Sequence, residues 1–226
     1  MSKGRIVLLA ALALAAVFVI AVAASGGEDE EKEGGEPETP GVPEEDAVSI
    51  RLDRYTAFVG VSDVLTLTAT VTSDSPVTVA WSSSDESIAT VDEGKAQFKK
   101  WGPCVITAEA GGCRAECLVV VDGPAHRSAL DPTDKAAAGI EGKRILRAYA
   151  SCEKQIAEGL MSYGYAEATA KEAASGCTGE WQFYADEAAK RINARGGYDK
   201  DAIVAEMVGE GWSKALAEEA ATMTRA

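Results

Sequence analysis

Residues 164–175 read GYAEATAKEAAS, and residues 211–222 read GWSKALAEEAAT, a near-copy 47 positions further along the chain. An ungapped alignment of residues 143–175 with residues 190–222 gives ten identical positions out of 33. A repeat of this period, rich in Ala, Glu and Lys, indicates a helical unit stacked on its copy. We therefore predict an all-α domain over residues 135–226, with repeats at about 140–178 and 186–224.

Each copy is predicted to contain three short helices, with a Gly-aromatic turn between the second and the third. Glycine accepts left-handed torsions at a helix C-terminus at little cost. Asp199 and Ser213 are well placed to cap the helices that follow them. The turn aromatics are expected in the core, and stacking on a ligand is the alternative. The predicted structural core includes Trp81, Gly164, Tyr165, Trp181, Gly211 and Trp212.

Residues 47–122 show the alternation that is typical of half-buried strands. The clearest run is Leu65 to Thr72, and turn sequences separate about seven short strands. This pattern predicts an all-β Ig-like sandwich. Residues 123–134 are predicted to be a linker, with a solvated His126 as the only histidine of the chain.

The chain has five cysteines, which are Cys104, Cys113, Cys117, Cys152 and Cys177. In an exported chain, cysteines are first interpreted as disulfides. A two-residue turn at residues 111–112 makes Cys104 and Cys117 diagonal neighbours. Cys152 and Cys177 are equidistant from the turn at residues 164–165. We predict both bridges, with buried free thiols as the alternative for the first, and Cys113 left over.

The N-terminal segment, residues 1–25, has the sequence of a membrane or export helix. Lys3 and Arg5 precede an apolar run over residues 6–24, which is long enough to span a bilayer. Residues 21–23 fit a cleavage site, so an uncleaved anchor, a cleaved signal peptide and a buried helix all remain open. Residues 26–46 are acidic and poor in apolar residues, which predicts a disordered linker. The rest of the chain is expected to be extracytoplasmic.

Charge and motif content exclude several function classes. The formal net charge is −14, and the predicted helical domain carries 12 basic and 14 acidic residues. Such a surface does not favour nucleic-acid binding. The sequence has no nucleophile motif, no metal-ligand cluster and no CxxC pair. We therefore expect no catalytic site, no metal, no cofactor and no small-molecule substrate.

Three stretches of the β region carry a family resemblance: VSIRLDRYTAFVGVSDVLTLTATV, VAWSSSDESIATVDEGKAQF and GPCVITAEAGGCRAECLVVV. Together they resemble the bacterial Ig-like group 2 domain over residues 47–122. Such domains are mostly spacers or adhesive modules of bacterial surface proteins. The resemblance therefore implies a location and an architecture rather than a chemistry.

The helical region carries a second resemblance. The stretch SGCTGEWQFYADEAAKRI, the Asp-capped helix, the turn at residues 211–213 and the Ala-rich helix resemble the Ltp-type repeat of host cell surface-exposed lipoproteins. This resemblance implies helix-turn-helix-like repeats on Gram-positive cells, and some members are phage superinfection-exclusion proteins. The lipid-bearing cysteine of that family is missing here, and the first repeat lacks the polar cap before its second helix.

Taken together, the sequence predicts a multidomain chain with a membrane or signal helix, an acidic linker, an Ig-like sandwich and a helical repeat domain. Two functions follow as hypotheses. The first is a non-enzymatic surface protein whose repeats bind a partner at the cell envelope. The second is interference with phage DNA entry through contact with a phage protein. In both, the N-terminal helix would contact the membrane.

Overall fold

Strands precede helices along the whole of the described chain. A computed structural model of the protein describes residues 48–177 and 181–224. The strands are β1 (Ser49–Leu52), β2 (Thr56–Gly60), β3 (Val64–Thr66), β4 (Ala69–Thr72), β5 (Ala80–Ser83), β6 (Ala89–Asp92), β7 (Lys95–Phe98), β8 (Gly102–Ala110) and β9 (Cys113–Asp122). The helices are α1 (Pro124–Ala129), α2 (Lys135–Tyr149), α3 (Glu153–Tyr163), α4 (Glu167–Gly176), α5 (Trp181–Asn193), α6 (Lys200–Glu210) and α7 (Lys214–Met223).

The longest strands, β8 and β9, form the central hairpin of a four-stranded sheet with the order β2-β9-β8-β5. A three-stranded sheet, β3-β7-β6, and a two-stranded sheet, β1-β4, complete the strand region. In the central hairpin Ala110 pairs with Cys113, and Ile106 pairs with Cys117. The predicted two-residue turn and its register are therefore confirmed.

The continuous strand predicted from Leu65 to Thr72 is divided into β3 and β4, which belong to different sheets. Two hydrogen bonds occupy the interruption. Leu67 N–H donates to the Gly94 carbonyl at 2.8 Å, and Thr68 N–H donates to Asp53 Oδ1 at 2.8 Å. The alternating pattern predicted a single strand, because alternation does not show where a chain passes from one sheet to another. The strand β2 was not predicted.

Both faces of the central sheet are buried, which overturns the predicted fold class. Val119 and Val121 belong to the core between the sheets. Leu118, Val120 and Val105 belong instead to a second core that they share with the first helices. The described residues therefore form one compact unit with a mixed sheet and helix fold. The prediction of separate all-β and all-α domains is wrong, because the helices cover the outer face of the sheet.

The two predicted three-helix units are present as α2–α4 and α5–α7. Helices α3 and α6 begin and end 47 residues apart, and so do α4 and α7. The predicted caps are also confirmed. Asp199 accepts a hydrogen bond from Ala202 N–H at 2.8 Å, and Ser213 accepts one from Leu216 N–H at 3.4 Å. The duplication in sequence is thus a duplication of backbone structure.

The predicted linker, residues 123–134, contains helix α1 and lies against the first repeat. Arg127 donates to the Ser162 carbonyl at 2.8 Å, and Ala166 N–H donates to the Pro132 carbonyl at 2.9 Å. This segment covers the Gly164 turn, because a Cβ at Gly164 would lie 3.3 Å from Leu130 Cδ2. It is therefore a packed connection between the sheet and the helices.

The predicted transmembrane helix has no counterpart in the described structure. Within residues 48–177 and 181–224, no helix is long and apolar enough to cross a bilayer. The apolar run at residues 6–24 and the acidic segment at residues 26–46, on which these predictions were made, lie outside the described ranges.

Candidate functional site

The two Gly-aromatic turns have the same conformation. Gly164 has φ of 107° and Gly211 has φ of 115°, and each ends its helix in the left-handed region. The aromatic residue that follows is buried in both copies, since Tyr165 is 4% and Trp212 is 5% exposed. Both rings are therefore core elements, and Trp212 also lines a cavity of about 340 Å³ next to Trp181.

The other two tryptophans of the predicted core are half-buried. Trp81 packs against the core between the sheets. Trp181 packs against the cores of both helical repeats, and its ring meets that of Trp212 edge-on at 6.0 Å. Trp181 therefore joins the two repeats.

The predicted Cys104–Cys117 disulfide is wrong, although the register that suggested it is correct. All five cysteines are free thiols. Cys104 pairs across the hairpin with Val119, so it is a diagonal neighbour of Cys117. Diagonal positions are about 7–8 Å apart. A disulfide usually needs Cα atoms within about 6.8 Å of each other.

The predicted Cys152–Cys177 disulfide is also wrong. The two thiols belong to different hydrophobic cores. Cys152 Sγ donates to the Glu210 carbonyl of the second repeat at 3.2 Å. Cys177 Sγ lies against α2, 3.0 Å from the position of a Cβ at Gly142. Equal distance from a turn predicted proximity, but each side chain faces a different neighbouring helix.

The buried thiols are poor nucleophiles. Burial, with a smaller contribution from Asp85, raises the pKa of Cys104 to about 12. Burial also raises the pKa of Cys117 to about 12. The pKa values of Cys152 and Cys177 are raised as well, mainly by burial. Because the thiolate is the reactive species, these four side chains are suited to packing rather than to covalent chemistry.

A buried charge cluster, which sequence reasoning missed, connects the second repeat to the rest of the molecule. Arg191 binds both carboxylate oxygens of Glu210, at 2.7 and 3.1 Å. Arg195, which is fully buried, reaches Glu210 and Glu206 at 3.3 Å each. Burial alone would lower the pKa of the Arg191 guanidinium, but Tyr149 and Glu210 outweigh it and raise the pKa.

Both buried arginines also stack on aromatic rings. The Arg191 guanidinium lies 3.7 Å from the ring of Tyr149 in the first repeat, and that of Arg195 lies 3.6 Å from the ring of Tyr55 near the sheet. The Tyr149 hydroxyl donates to the Glu116 carbonyl of β9 at 2.9 Å. The cluster therefore joins the second repeat to the first repeat and to the sheet at once.

A comparison of the two copies could have located this cluster. Relative to the first copy, the second replaces Ala148, Gly159 and Tyr163 by Arg195, Glu206 and Glu210. Opposite charges thus enter together, with Arg195 just after the end of α5 and both glutamates on α6. Glu206 and Glu210 are four residues apart and share a helix face, as Arg191 and Arg195 would on a continuous helix.

His126, predicted to be solvated, is instead enclosed. Its side chain is only 10% exposed. The ring stacks on Trp101 at 4.1 Å and meets the edge of Tyr163 at 5.1 Å. Nδ1 lies 3.7 Å from Asp122 Oδ1. The prediction failed because α1 folds the supposed linker back onto the junction between sheet and helices.

A groove of about 470 Å³ opens where the sheet and both repeats meet. It is lined by one stretch of β9, the C-terminal end of α2 and one face of α5. Phe183 is 55% exposed, and its ring meets that of Tyr184 edge-on at 5.2 Å. The charged side chains of the lining are Arg114, Glu116, Arg147, Glu187, Lys190 and Arg191. The volume is within the range of binding sites, and the lining is more charged than that of a typical small-molecule pocket.

A larger groove of about 790 Å³ lies between α6 and α7. Its apolar lining consists of the small aliphatic residues Val204, Ala205 and Val208. Its two lysines are accompanied in the lining by the acidic residues Asp201, Glu218 and Glu219. It belongs to one repeat only, which makes it a useful control position.

Among residues 48–177 and 181–224, no group of three or more His, Cys, Asp and Glu side chains is arranged to hold a metal ion. Comparison of the chain with models of known protein families and with curated proteins finds no match. The geometry of the groove is therefore the main guide to function.

Proposed function

We propose that the protein is a non-enzymatic, extracytoplasmic binding protein of the bacterial surface, which contacts a component of the cell envelope through the groove between the sheet and the two repeats. The observation that carries this proposal is the exposed Phe183 beside Tyr184, in a groove that also presents the exposed Arg147. Aromatic and Arg residues are the types that dominate binding energy at protein interfaces. The resemblances to surface proteins noted in the sequence support the location.

A rigid support for the groove favours binding over flexible tethering. The floor includes Tyr149 and Arg191, which are buried and held by the charge cluster. The walls come from three parts of one compact unit. A preorganised site loses less conformational entropy when it binds. The sheet therefore serves as more than a spacer, because it forms part of the proposed contact surface.

The properties of the potential nucleophiles and of His126 support a non-catalytic role. Four of the five thiols have raised pKa values because they are buried. His126 lies between Trp101 and Tyr163. General acid–base catalysis requires a group within hydrogen-bond reach of a bound substrate. None of these side chains lines the groove, and the two carboxylates that do, Glu116 and Glu187, are each held in an ion pair.

Photocrosslinking of the full chain in a Gram-positive host tests the proposal. Phe183→benzoylphenylalanine places a photoreactive group at the groove. Val64→benzoylphenylalanine is the matched control, because Val64 is 54% exposed and lies outside the groove lining. We expect a crosslink to an envelope component from position 183 only. Equal crosslinking from both positions, or none from position 183, would contradict the proposal.

A further inference from the structure

The charge and hydrogen-bonding groups of the same groove indicate which class of ligand it takes. We infer that the groove binds an acidic peptide segment of a partner protein. One carboxylate of the peptide, separated from its other negative charges, would bind Arg147, and an apolar side chain would pack against Phe183. This inference rests on the proposed function, since it names the partner chemistry of that site.

Arg147 supplies the free cation of the groove. Two other exposed cations are paired within the lining, Arg114 with Glu116 at 3.1 Å and Lys190 with Glu187 at 2.9 Å. Arg191 is neutralised by Glu210. Arg147 is exposed and forms no ion pair with any side chain in the described ranges. An Arg fork is suited to a planar carboxylate, which it can bind through two hydrogen bonds.

The end of α2 adds hydrogen-bond acceptors to the same rim. The last four carbonyls of a helix lack partners within it. The Leu146 carbonyl accepts from the N–H groups of Ala150 and Ser151. The carbonyls that follow it, from Arg147 to Tyr149, lie on residues that line the groove. Backbone N–H groups of a bound peptide would satisfy these acceptors.

The same features disfavour a dense polyanion such as a phosphodiester polymer. The C-terminal end of α2 carries the negative pole of the helix dipole. Glu116 and Glu187 place two carboxylates in the lining. Because these carboxylates already neutralise Arg114 and Lys190, a ligand with closely spaced negative charges would find only Arg147 unpaired among the described cations of the lining, and it has no backbone N–H groups to donate. A peptide with separated carboxylates avoids the repulsion and supplies donors.

The aromatic pair provides the apolar half of the site. Phe183 exposes more than half of its surface, and Tyr184 supports it edge-on. Aromatic pairs prefer this T-shaped arrangement, which leaves a ring face available for a further apolar side chain. The ligand is therefore expected to carry an aromatic or large aliphatic residue next to its carboxylate.

The direct test is a titration of the ¹⁵N-labelled full chain with the peptide acetyl-Glu-Phe-Glu-Phe-amide, followed by amide chemical shifts. The same peptide with Gln in place of Glu is the uncharged control, and poly(glycerol phosphate) is the polyanion competitor. We expect shifts at Arg147, Phe183 and Tyr184 with the Glu peptide. Binding should weaken as salt shortens the Debye length from about 30 Å at 0.01 M to about 3 Å at 1 M.

Three variants divide the possible outcomes. Arg147→Gln should weaken binding of the Glu peptide about fivefold, as expected for one exposed charge contact. Phe183→Ala should weaken it about tenfold. Lys214→Gln removes an exposed cation of the control groove between α6 and α7 and should leave binding unchanged.

Failure of the inference and failure of the proposed function give different results. If the Gln peptide binds as tightly, or if poly(glycerol phosphate) displaces the Glu peptide, the ligand class is wrong, although crosslinking from position 183 would persist. If neither peptide shifts groove amides and position 183 gives no crosslink, both the inference and the proposed function fail.

Discussion

The two helical repeats have matching second and third helices but are attached to the sheet by different chemistry. The first repeat lies on an apolar surface, to which the sheet contributes Leu118, Val120 and Val105. The second is connected through Arg191 and Arg195, their aromatic partners and Glu210. A duplicated unit can therefore keep its backbone while the residues that face its neighbours diverge.

This difference follows from where each copy lies. The first repeat covers the outer face of the central hairpin, where apolar burial suffices. The second meets the end of the sheet, where backbone groups also need partners. Ile50 N–H donates to the Arg195 carbonyl at 2.8 Å, and Arg114 N–H donates to the Ala194 carbonyl at 2.7 Å. A polar junction suits this second position.

The largest effect is expected from removal of Glu210. Glu210→Ala leaves Arg191 and Arg195 buried with an incomplete set of partners, which should lower the free energy of unfolding by about 3–5 kcal/mol. Urea denaturation measures this loss. Glu218→Ala, at an exposed ion pair with Lys214, is the control and should change stability by about 0.5 kcal/mol or less. Similar losses from both variants would contradict a structural role for the charge cluster.

A somewhat smaller loss is expected at the apolar junction of the first repeat. Leu118 is fully buried between the sheet and the helices. Leu118→Ala should lower the free energy of unfolding by about 3 kcal/mol, because it removes buried apolar surface and leaves a cavity. The loss should be the same at low and high salt. A strong salt dependence would show that this junction also depends on charge.

Alkaline pH should weaken the core between the sheets, and the raised pKa values of Cys152 and Cys177 should extend the same effect to the helical cores. The pKa values of Cys104 and Cys117 are raised to about 12, so the native state retains protons that the unfolded state releases above about pH 8.5. The contribution of these two thiols to stability is therefore fully present below that pH, and it is lost as the pH rises. Each thiol should contribute a slope of about 1.4 kcal/mol per pH unit.

The thiol contribution is measured by the change of that slope in Cys117→Ala. Urea denaturation between about pH 9 and about pH 10 should show a shallower fall for this variant than for the unmodified chain. Val119→Ala truncates a neighbouring buried side chain without removing a titrating group. It should lower stability but keep the slope. An unchanged slope in Cys117→Ala would contradict the assignment.

The smallest effect compares the two turns. Gly164→Ala and Gly211→Ala both place a Cβ in the left-handed region, at about 1 kcal/mol each. At Gly211 the new atom would also lie 3.0 Å from Lys154 Cβ and 3.1 Å from Cys152 Sγ, at the contact between repeats. We therefore expect Gly211→Ala to lower the free energy of unfolding by about 1 kcal/mol more than Gly164→Ala does. Equal melting temperatures of the two variants would mean that Lys154 and Cys152 move aside for the new Cβ at no cost in stability.

Local features of the fold were predictable from the sequence. The register of the central hairpin, the left-handed glycines and the caps at Asp199 and Ser213 depend on neighbouring residues only. The apolar run from Leu118 to Val121 differs from the alternating pattern of the other strands, which led to the prediction of half-buried strands. Such a run is typical of a strand buried on both faces. Read in that way, it predicts that the helices cover the sheet.

Contacts between distant parts of the chain were not predictable in the same way. The enclosure of His126, the separation of Cys152 from Cys177 and the stacking of Arg195 on Tyr55 depend on how helices are arranged against the sheet. The candidate groove has the same origin, because its three walls are far apart in sequence. Composition and motif spacing contain no information about such junctions.

We expect the sheet and both repeats to unfold as one cooperative body. Native-state hydrogen exchange, measured by mass spectrometry in increasing urea, tests it most directly. We predict that the slowest amides of β8, β9, α3 and α6 converge on a single free energy of opening. Continued protection of β8 and β9 after the amides of α3 and α6 have exchanged would contradict this expectation. It would indicate that the sheet and the helices unfold as independent domains.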